Sequence, residues 1–84
     1  MNKWFVYIIE TRLNTLYTGI TNNVARRLKE HQMQNYKTAK YLRGKDPLTL
    51  VYIKEVISKN EALKLECLIK KLSKKEKIDL IKNS

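Results

Sequence analysis

Arg27 and His31 carry groups that can bind a phosphate and transfer a proton, and both occupy inward positions of a predicted helix. At about 100° per residue, they share a stripe with Val24 and Leu28, where apolar side chains are expected. A guanidinium is always charged, and its planar set of donors suits a phosphate group. An imidazole one turn further along can accept or relay a proton near neutral pH. The pair therefore indicates a polar site on the buried side of this helix.

Glu66 is a third polar group placed among apolar ones. In the helix predicted over residues 59–72, it falls inside one continuous arc of apolar side chains, namely Ala62, Leu63, Leu65, Leu68, Ile69 and Leu72. A buried carboxylate is costly unless it is paired or bound to a cation. A salt bridge with Arg27 or a lysine would satisfy it. So would Mg²⁺, which commonly takes one or two protein carboxylates, several waters and a substrate phosphate.

Three strands must position these groups. Residues 3–10 are aromatic and β-branched, residues 11–15 are typical of a turn, and residues 16–20 are short and extended, which predicts a hairpin. Residues 48–57 form the third strand by their β-branched content. The first strand is apolar on both faces, so we place it at the centre of an antiparallel sheet with strand order 2-1-3.

Tyr7 and Tyr17 lie on the two strands of the hairpin. Period-2 alternation places Tyr7 with Phe5 and Ile9 on one face, and Tyr17 with Gly19 on one face of the second strand. A phenol with a pKa of about 10 is a poor base at neutral pH unless a cation lowers it. Ordinary half-buried strand aromatics are the alternative. Gly19 would allow a close approach of the backbone.

The sequence also marks where three helices begin. Capping residues precede each of them: Asn22 or Asn23, then Ser58 with Glu61, then Ser73 with Glu76. The last helix, over residues 73–83, is predicted to turn three side chains to the core, Ile78, Leu80 and Ile81. The fold class is therefore α+β, a three-stranded antiparallel sheet flanked by about three helices.

The length of 84 residues predicts one domain, residues 1–84, close to the size at which a single core is only marginally stable. No run approaches the roughly 18 apolar residues that cross a membrane, and no signal peptide is recognisable. We therefore expect a soluble, cytoplasmic monomer. Cys67 is the only cysteine, which excludes an intrachain disulfide and a thiolate zinc site, and it is expected to pack as a small apolar side chain.

Lysine and arginine total 18 against 8 acidic residues, a formal charge of +10 that favours a polyanionic partner. A well-solvated basic surface is the alternative. A membrane partner is disfavoured, because no predicted helix combines a broad apolar face with an aromatic-rich edge.

The segment of residues 34–47 is a basic loop, with one helical turn predicted over residues 38–42. Its cations are interleaved with tyrosines, an arrangement that suits phosphates and bases but is also compatible with a solvated loop. The predicted nucleic-acid contacts are Lys37, Lys40, Tyr41, Arg43 and Lys45.

The sequence resembles the GIY-YIG nuclease family in three ordered features. These are Tyr7 within Val6-Tyr7-Ile8, the tripeptide Tyr17-Thr18-Gly19, and an arginine and a histidine four residues apart. Both tyrosines and the final glycine of the family name are kept, while their neighbours differ. The resemblance extends over nearly the whole chain, through residues 22–31, Ala39-Lys40-Tyr41, Arg43-Gly44, residues 61–71 around Glu66, Leu72-Ser73 and Glu76-Lys77. The chain is most similar to the small single-domain branch of this family.

The resemblance implies a metal-dependent endonuclease that hydrolyses phosphodiester bonds in DNA, in preference to RNA, in damaged, branched, single-stranded or repair-related structures. It implies that Tyr7 and Tyr17 position or deprotonate the attacking water, with Arg27, His31 and Glu66 completing the site and Glu66 holding one Mg²⁺ or Mn²⁺. A late asparagine of larger members has only a poor match in Asn83, which is left unassigned. Larger members carry separate DNA-binding domains, so we expect low sequence specificity here unless a protein partner supplies it.

The same residues fit two other classes of protein. A binding module could use the basic face to hold nucleic acid without cutting it. An interaction protein could dock that face on an acidic protein or on the ribosome.

Overall fold

The computed structural model describes residues 3–84, and the predicted strands and helices are all present. The strands are β1 (Trp4–Glu10), β2 (Leu16–Thr21) and β3 (Thr49–Val56), and the helices are α1 (Val24–Gln32), α2 (Lys59–Lys70) and α3 (Lys74–Lys82). A single 3₁₀ turn, Lys40–Leu42, lies in the basic loop where one helical turn was predicted. Within residues 3–84, no helix combines the length and apolar character needed to cross a membrane.

The strands form one antiparallel sheet with the order β2-β1-β3, which confirms the predicted topology and the α+β class. β1 is central because it is apolar on both faces, and Val6 through Ile9 are all buried. Its register with β2 pairs Tyr7 with Gly19 and Ile9 with Tyr17. The two tyrosines are therefore diagonal neighbours on one face of the sheet, as their alternation predicted.

Each face of β1 belongs to its own hydrophobic cluster. On one face, Val6 and Ile8 pack with Tyr52 of β3 and with Ala62 and Ile69 of α2. On the other face lies the second cluster, formed by Tyr7, Ile9, Leu42 and Leu48 with Leu28 and Ala39 packed against it. The strand thus connects α2 to the layer made of α1 and the basic loop.

The apolar arc predicted on α2 is wider than the face that packs. Ala62 and Ile69 are buried, but Leu63 is 44% exposed and Leu68 is 61% exposed. Each lies about 100° from a buried position, in opposite directions, so both leave the face that contacts the sheet. Cys67 is two residues from Ile69, on the far side of the helix, and is exposed. The expectation that it packs as a small apolar side chain is wrong.

Two of the three α3 side chains that were predicted to face the core do so. Leu80 and Ile81 pack against the cluster around Val6, as predicted, whereas Ile78 lies at its exposed margin. Position 78 is about 160° from position 80 around a helix, so the two side chains cannot share one narrow buried face.

The helix caps agree largely with the sequence. Asn23 rather than Asn22 caps α1, because its side chain accepts a hydrogen bond from the backbone N–H of Arg26. Ser73 and Glu76 form the complete reciprocal capping box of α3. Ser58 caps α2 by accepting from the N–H of Glu61, whose own carboxylate lies 3.7 Å from Lys64.

Candidate active site

Tyr7 occupies the centre of the candidate site, and Gly19 makes room for it. A Cβ atom at Gly19 would lie 2.5 Å from the Tyr7 hydroxyl oxygen and 2.6 Å from Cζ. The ring of Tyr7 therefore crosses the backbone of β2 at a point where only glycine fits. This is the close approach that the sequence led us to expect at Gly19.

His31 is fully buried and is hydrogen-bonded to Tyr7. Its Nε2 lies 2.9 Å from the Tyr7 hydroxyl oxygen. On the other side of the ring, the backbone N–H of Ala39 donates to Nδ1 at 3.3 Å. Because Nδ1 accepts, we assign the ring proton to Nε2, which donates to the phenol oxygen. His31 thus presents a fixed N–H to Tyr7.

Burial, followed by the nearby positive charge of Arg27, lowers the pKa of His31 to about 4. The imidazole is therefore neutral at pH 7. The sequence had suggested a group that exchanges protons near neutral pH, because an unperturbed imidazole titrates there. The structure instead gives His31 the properties of a neutral hydrogen-bond donor.

Burial also raises the pKa of Tyr7, to about 12, and Tyr17 and Glu66 act in the same direction. The charge of Arg27 opposes this rise. With no further cation, Tyr7 is a neutral phenol at physiological pH. Any cation that binds beside it shifts this pKa downward, since a positive charge stabilises the phenolate.

Arg27 links α1 to the basic loop through hydrogen bonds. Its Nη1 donates to Glu30 Oε1 at 3.0 Å and to the carbonyl oxygen of Lys37 at 2.8 Å. Hydrogen bonding to this guanidinium holds the pKa of the Glu30 carboxyl below its usual value. The same guanidinium lies close enough to Tyr7 to affect its pKa, so it adjoins the central phenol.

Glu66 lies on α2 with only 19% of its side chain exposed, and its Oε2 is 3.3 Å from Nζ of Lys70. Of the alternatives left open by the sequence, the structure contains the salt bridge with a lysine. Glu66 is also near enough to raise the pKa of Tyr7, so α2 brings a carboxylate to the same site.

The donor set suits only a weakly held ion. Across residues 3–84, no group of three or more His, Cys, Asp and Glu side chains is arranged to hold a metal. A single carboxylate is compatible with Mg²⁺ when waters and a substrate phosphate complete the coordination.

Tyr17 extends the cluster toward the surface. Its ring centroid is 6.4 Å from that of Tyr7, 5.9 Å from that of His31 and 5.9 Å from that of Tyr41, which is stacked at an angle of 22°. Lys45 Nζ lies 3.6 Å from the centroid of Tyr41. The other four predicted catalytic and metal-binding residues therefore lie around the phenol of Tyr7, and Tyr41 with Lys45 connects them to the basic loop.

The predicted nucleic-acid contacts differ in their availability. Lys37 and Lys40 are exposed. Arg43 instead donates to the carbonyl oxygens of Thr38 at 3.2 Å and Tyr36 at 3.0 Å. Its guanidinium thereby holds the loop, a use that sequence alone could not reveal because it depends on the loop conformation.

Two polar residues that the sequence did not single out organise the layer behind the site. Thr38 is buried, and its hydroxyl donates to the carbonyl of Glu30 at 2.9 Å. Gln34 accepts from the N–H of Gly44 at 2.7 Å and donates to the carbonyl of His31 at 3.0 Å. Neither contact has a local sequence signal. By contrast, the spacing of Glu66 and Lys70 at i and i+4 does predict their ion pair.

Comparison with known families agrees with this geometry. A family model described as the GIY-YIG catalytic domain matches residues 3–79, and the chain belongs to the GIY-YIG family. The resemblance drawn from Tyr7, Tyr17 and Gly19 is thereby confirmed.

The chain is similar to small proteins of this family from several bacteria. It is 48% identical over 81 residues to a UPF0213 protein of Citrobacter koseri, which covers 96% of this chain and 79% of the relative. It is 47% identical over 81 residues to the UPF0213 protein YhbQ of Salmonella typhimurium, with 96% and 79% covered. The solution NMR structure of the UPF0213 protein BH0048 from Bacillus halodurans matches with a TM-score of 0.63 and 39% identity, over 98% of this chain and 85% of that one.

Gly19→Ala tests the packing of Tyr7 across β2. The added methyl group must displace the Tyr7 ring, so we expect the free energy of unfolding to fall by about 1–3 kcal/mol. Gly44→Ala is the control: Gly44 has φ +73° and no atom near its Cβ position. The free energy of unfolding of Gly44→Ala should fall by about 1–2 kcal/mol through backbone strain alone. Urea unfolding gives both values, and NMR of the His31 ring should change only in Gly19→Ala.

His31 makes stability depend on pH. Its pKa is 6.5 when unperturbed and about 4 in the fold. The unfolded chain therefore binds the proton more readily, and stability falls as pH falls between these values. From about pH 7.5 to about pH 5 we expect a loss of roughly 2 kcal/mol. In His31→Leu the slope over this window should vanish, whatever the variant's absolute stability. An unchanged slope in urea titrations would contradict the assignment.

Proposed function

We propose that this protein is a metal-dependent endonuclease that hydrolyses phosphodiester bonds in DNA with low sequence specificity. The observation that carries the proposal is the hydrogen bond of His31 to the Tyr7 hydroxyl, with Tyr17 and Arg27 beside this phenol and Glu66 near enough to raise its pKa, in a chain of the GIY-YIG family. Hydrolysis of a phosphodiester needs a base for water, positive charge at the phosphate and help for the leaving oxygen. This cluster offers a candidate for each role.

Tyr7 is the proposed base. Its oxygen accepts a proton from a water molecule after the phenol has released its own proton to solvent. The N–H of His31 and the charge of Arg27 both stabilise negative charge on that oxygen, which favours the phenolate. Tyr17, at the mouth of the cluster, is proposed to position the water.

Arg27 is proposed to hold the scissile phosphate. A guanidinium offers paired donors to non-bridging oxygens and stays charged throughout. Its bonds to Glu30 and to the carbonyl of Lys37 fix its orientation before substrate arrives. That fixed orientation reduces the reorganisation needed during the reaction.

Glu66 is the residue that would hold Mg²⁺ or Mn²⁺, together with waters and the phosphate. When bound, such an ion stabilises the charge that develops on the leaving oxygen. Lys70 pairs with this carboxylate in the free protein. Lys70 must therefore move its ammonium group aside when a cation takes the carboxylate.

The basic loop is proposed to bind the flanking backbone of DNA, in preference to RNA, through Lys37, Lys40, Tyr41 and Lys45. Arg43 is proposed to contribute mainly by holding the loop. Branched or damaged DNA of the kind met in repair is the proposed substrate. The protein would act as a monomer in the cytoplasm, with or without a partner that directs it.

A non-catalytic nucleic-acid-binding module is the second candidate. The observation that favours it is that Glu66 is already paired with Lys70 while the pKa of Tyr7 is raised to about 12. Both features suit a basic surface that holds nucleic acid without a reaction.

Glu66→Gln separates these two functions. Supercoiled plasmid and labelled branched oligonucleotides are incubated with Mg²⁺, with Mn²⁺ or with chelator. We expect the wild-type protein to cleave only with metal. The cleavage rate should fall at least about 100-fold in Glu66→Gln, because no other protein carboxylate replaces the lost metal ligand. Glu61→Gln, which removes an exposed carboxylate from the same helix, should cleave normally. If the wild-type protein retains DNA in these tubes without cutting it under either metal, the binding module is correct.

The pH dependence of cleavage identifies the base. If Tyr7 acts as phenolate, the single-turnover rate should rise about tenfold per pH unit through neutrality, and Tyr7→Phe should abolish it. Because the pKa of His31 is about 4, no inflection near pH 6.5 is expected. An inflection there that disappears in His31→Gln would transfer the role of base to His31.

A further inference from the structure

A groove of about 280 Å³ adjoins the candidate active site and shares Tyr17, Tyr41 and Lys70 with the residues of the mechanism proposed above. Its lining comes from β2, the basic loop, α2 and α3, and consists of Leu16, Tyr17, Thr18, Tyr41, Lys70 and Lys77. Of these residues, Tyr41 was predicted to contact nucleic acid and Tyr17 to act in catalysis. Leu16, Thr18, Lys70 and Lys77 have no part in substrate binding in the mechanism proposed above.

The groove combines an apolar wall with two ammonium groups. Leu16 and the stacked rings of Tyr17 and Tyr41 form the apolar part. Lys70 and Lys77 reach it from two different helices, and Lys77 is half-buried. A lysine at the margin of an apolar surface lays its methylene chain along that surface and directs its charge to the solvent side.

Thr18 adds an unsatisfied polar group to this lining. Its hydroxyl oxygen is buried and, within the described part of the chain, has no hydrogen-bond partner.

The groove and the candidate active site share a boundary. Lys70 Nζ is 3.3 Å from Glu66 Oε2, and the Tyr17 ring is 5.9 Å from that of His31. Whatever lies in the groove is therefore next to the phosphate that Arg27 is proposed to hold. An anionic group with an attached ring system matches both the charge and the apolar wall.

We infer that this groove binds one unpaired nucleotide of the substrate strand, immediately beside the phosphate that is cut. Lys70 and Lys77 bind its phosphate, and the wall of Leu16, Tyr17 and Tyr41 packs against its sugar and base. This inference rests on the proposed function and adds a substrate class to it. A base within a blunt duplex is stacked and paired, so it cannot enter the groove unless it is first extruded, at a few kcal/mol. Strands with a single-stranded nucleotide at the cut therefore bind better than blunt duplex.

Lys77→Ala tests the inference through binding in chelator, where no cleavage is needed. The probes are a fluorescent oligothymidylate and a blunt duplex of the same length, followed by fluorescence anisotropy. Loss of one charge-assisted phosphate contact should weaken oligothymidylate binding roughly tenfold. Lys77→Arg, which keeps the charge, should restore most of it.

Lys75→Ala is the matched control. Lys75 is exposed on the same helix, about 160° around it from Lys77, so its removal changes the net charge equally without touching the groove. We expect Lys75→Ala to weaken the binding of both probes slightly and by the same factor. We expect Lys77→Ala to weaken binding more than Lys75→Ala only with the oligothymidylate.

Two outcomes would overturn the inference. One is an equal loss from Lys77→Ala and Lys75→Ala on both probes, which would reduce Lys77 to part of a general basic surface. The other is tighter binding of blunt duplex than of oligothymidylate by the wild-type protein. Either result leaves the cleavage test with Glu66→Gln unaffected, and a protein that binds through the groove but never cuts would refute the nuclease alone.

Discussion

The hydrogen bond between Tyr7 and His31, 2.9 Å long and fully enclosed, is the constraint on which the site depends. It joins the central strand to α1 across the second hydrophobic cluster. Gly19 provides the space for the Tyr7 ring, and the N–H of Ala39 fixes the proton of His31 on the nitrogen that faces Tyr7. Sheet, helix and basic loop must therefore all be in place before the phenol acquires its orientation. The geometry of the proposed active site and the fold are therefore set by the same contacts.

Electrostatics divide the site into a neutral centre and a charged margin. Tyr7 and His31 are both buried, and burial disfavours the charged form of each, which keeps both neutral at pH 7. Arg27 and Glu66 lie around them and are compensated by Glu30 and Lys70 respectively. In the proposed mechanism, a cation at Glu66 would replace the ammonium group of Lys70, whereas Glu30 would stay bound to Arg27 and keep it oriented toward the phosphate.

The basic loop is ordered by polar side chains in addition to Leu42, which is buried in the second hydrophobic cluster. Gln34, Thr38 and Arg43 bond to main-chain groups within it or on α1, and Arg12 donates to the carbonyls of Gly44 and Asp46. These bonds satisfy backbone groups that a loop would otherwise leave to water. Tyr41 and Lys45 are consequently presented at fixed positions beside Tyr17. Part of the basic composition of the loop is structural, and part is available to a polyanion.

The sequence by itself determined the strands, their order, most helix caps and the family, because these follow from local periodicity, side chain to backbone capping and the spacing of Tyr7, Tyr17, Gly19, Arg27 and His31. Only the tertiary structure decided which faces of α2 and α3 pack, so Leu63, Cys67 and Ile78 were misplaced. It also decided that His31 is a neutral donor and that Arg43 holds the loop. Each of these depends on the burial and the partners of a side chain, and those are set by segments distant in the chain or by the path of the folded backbone.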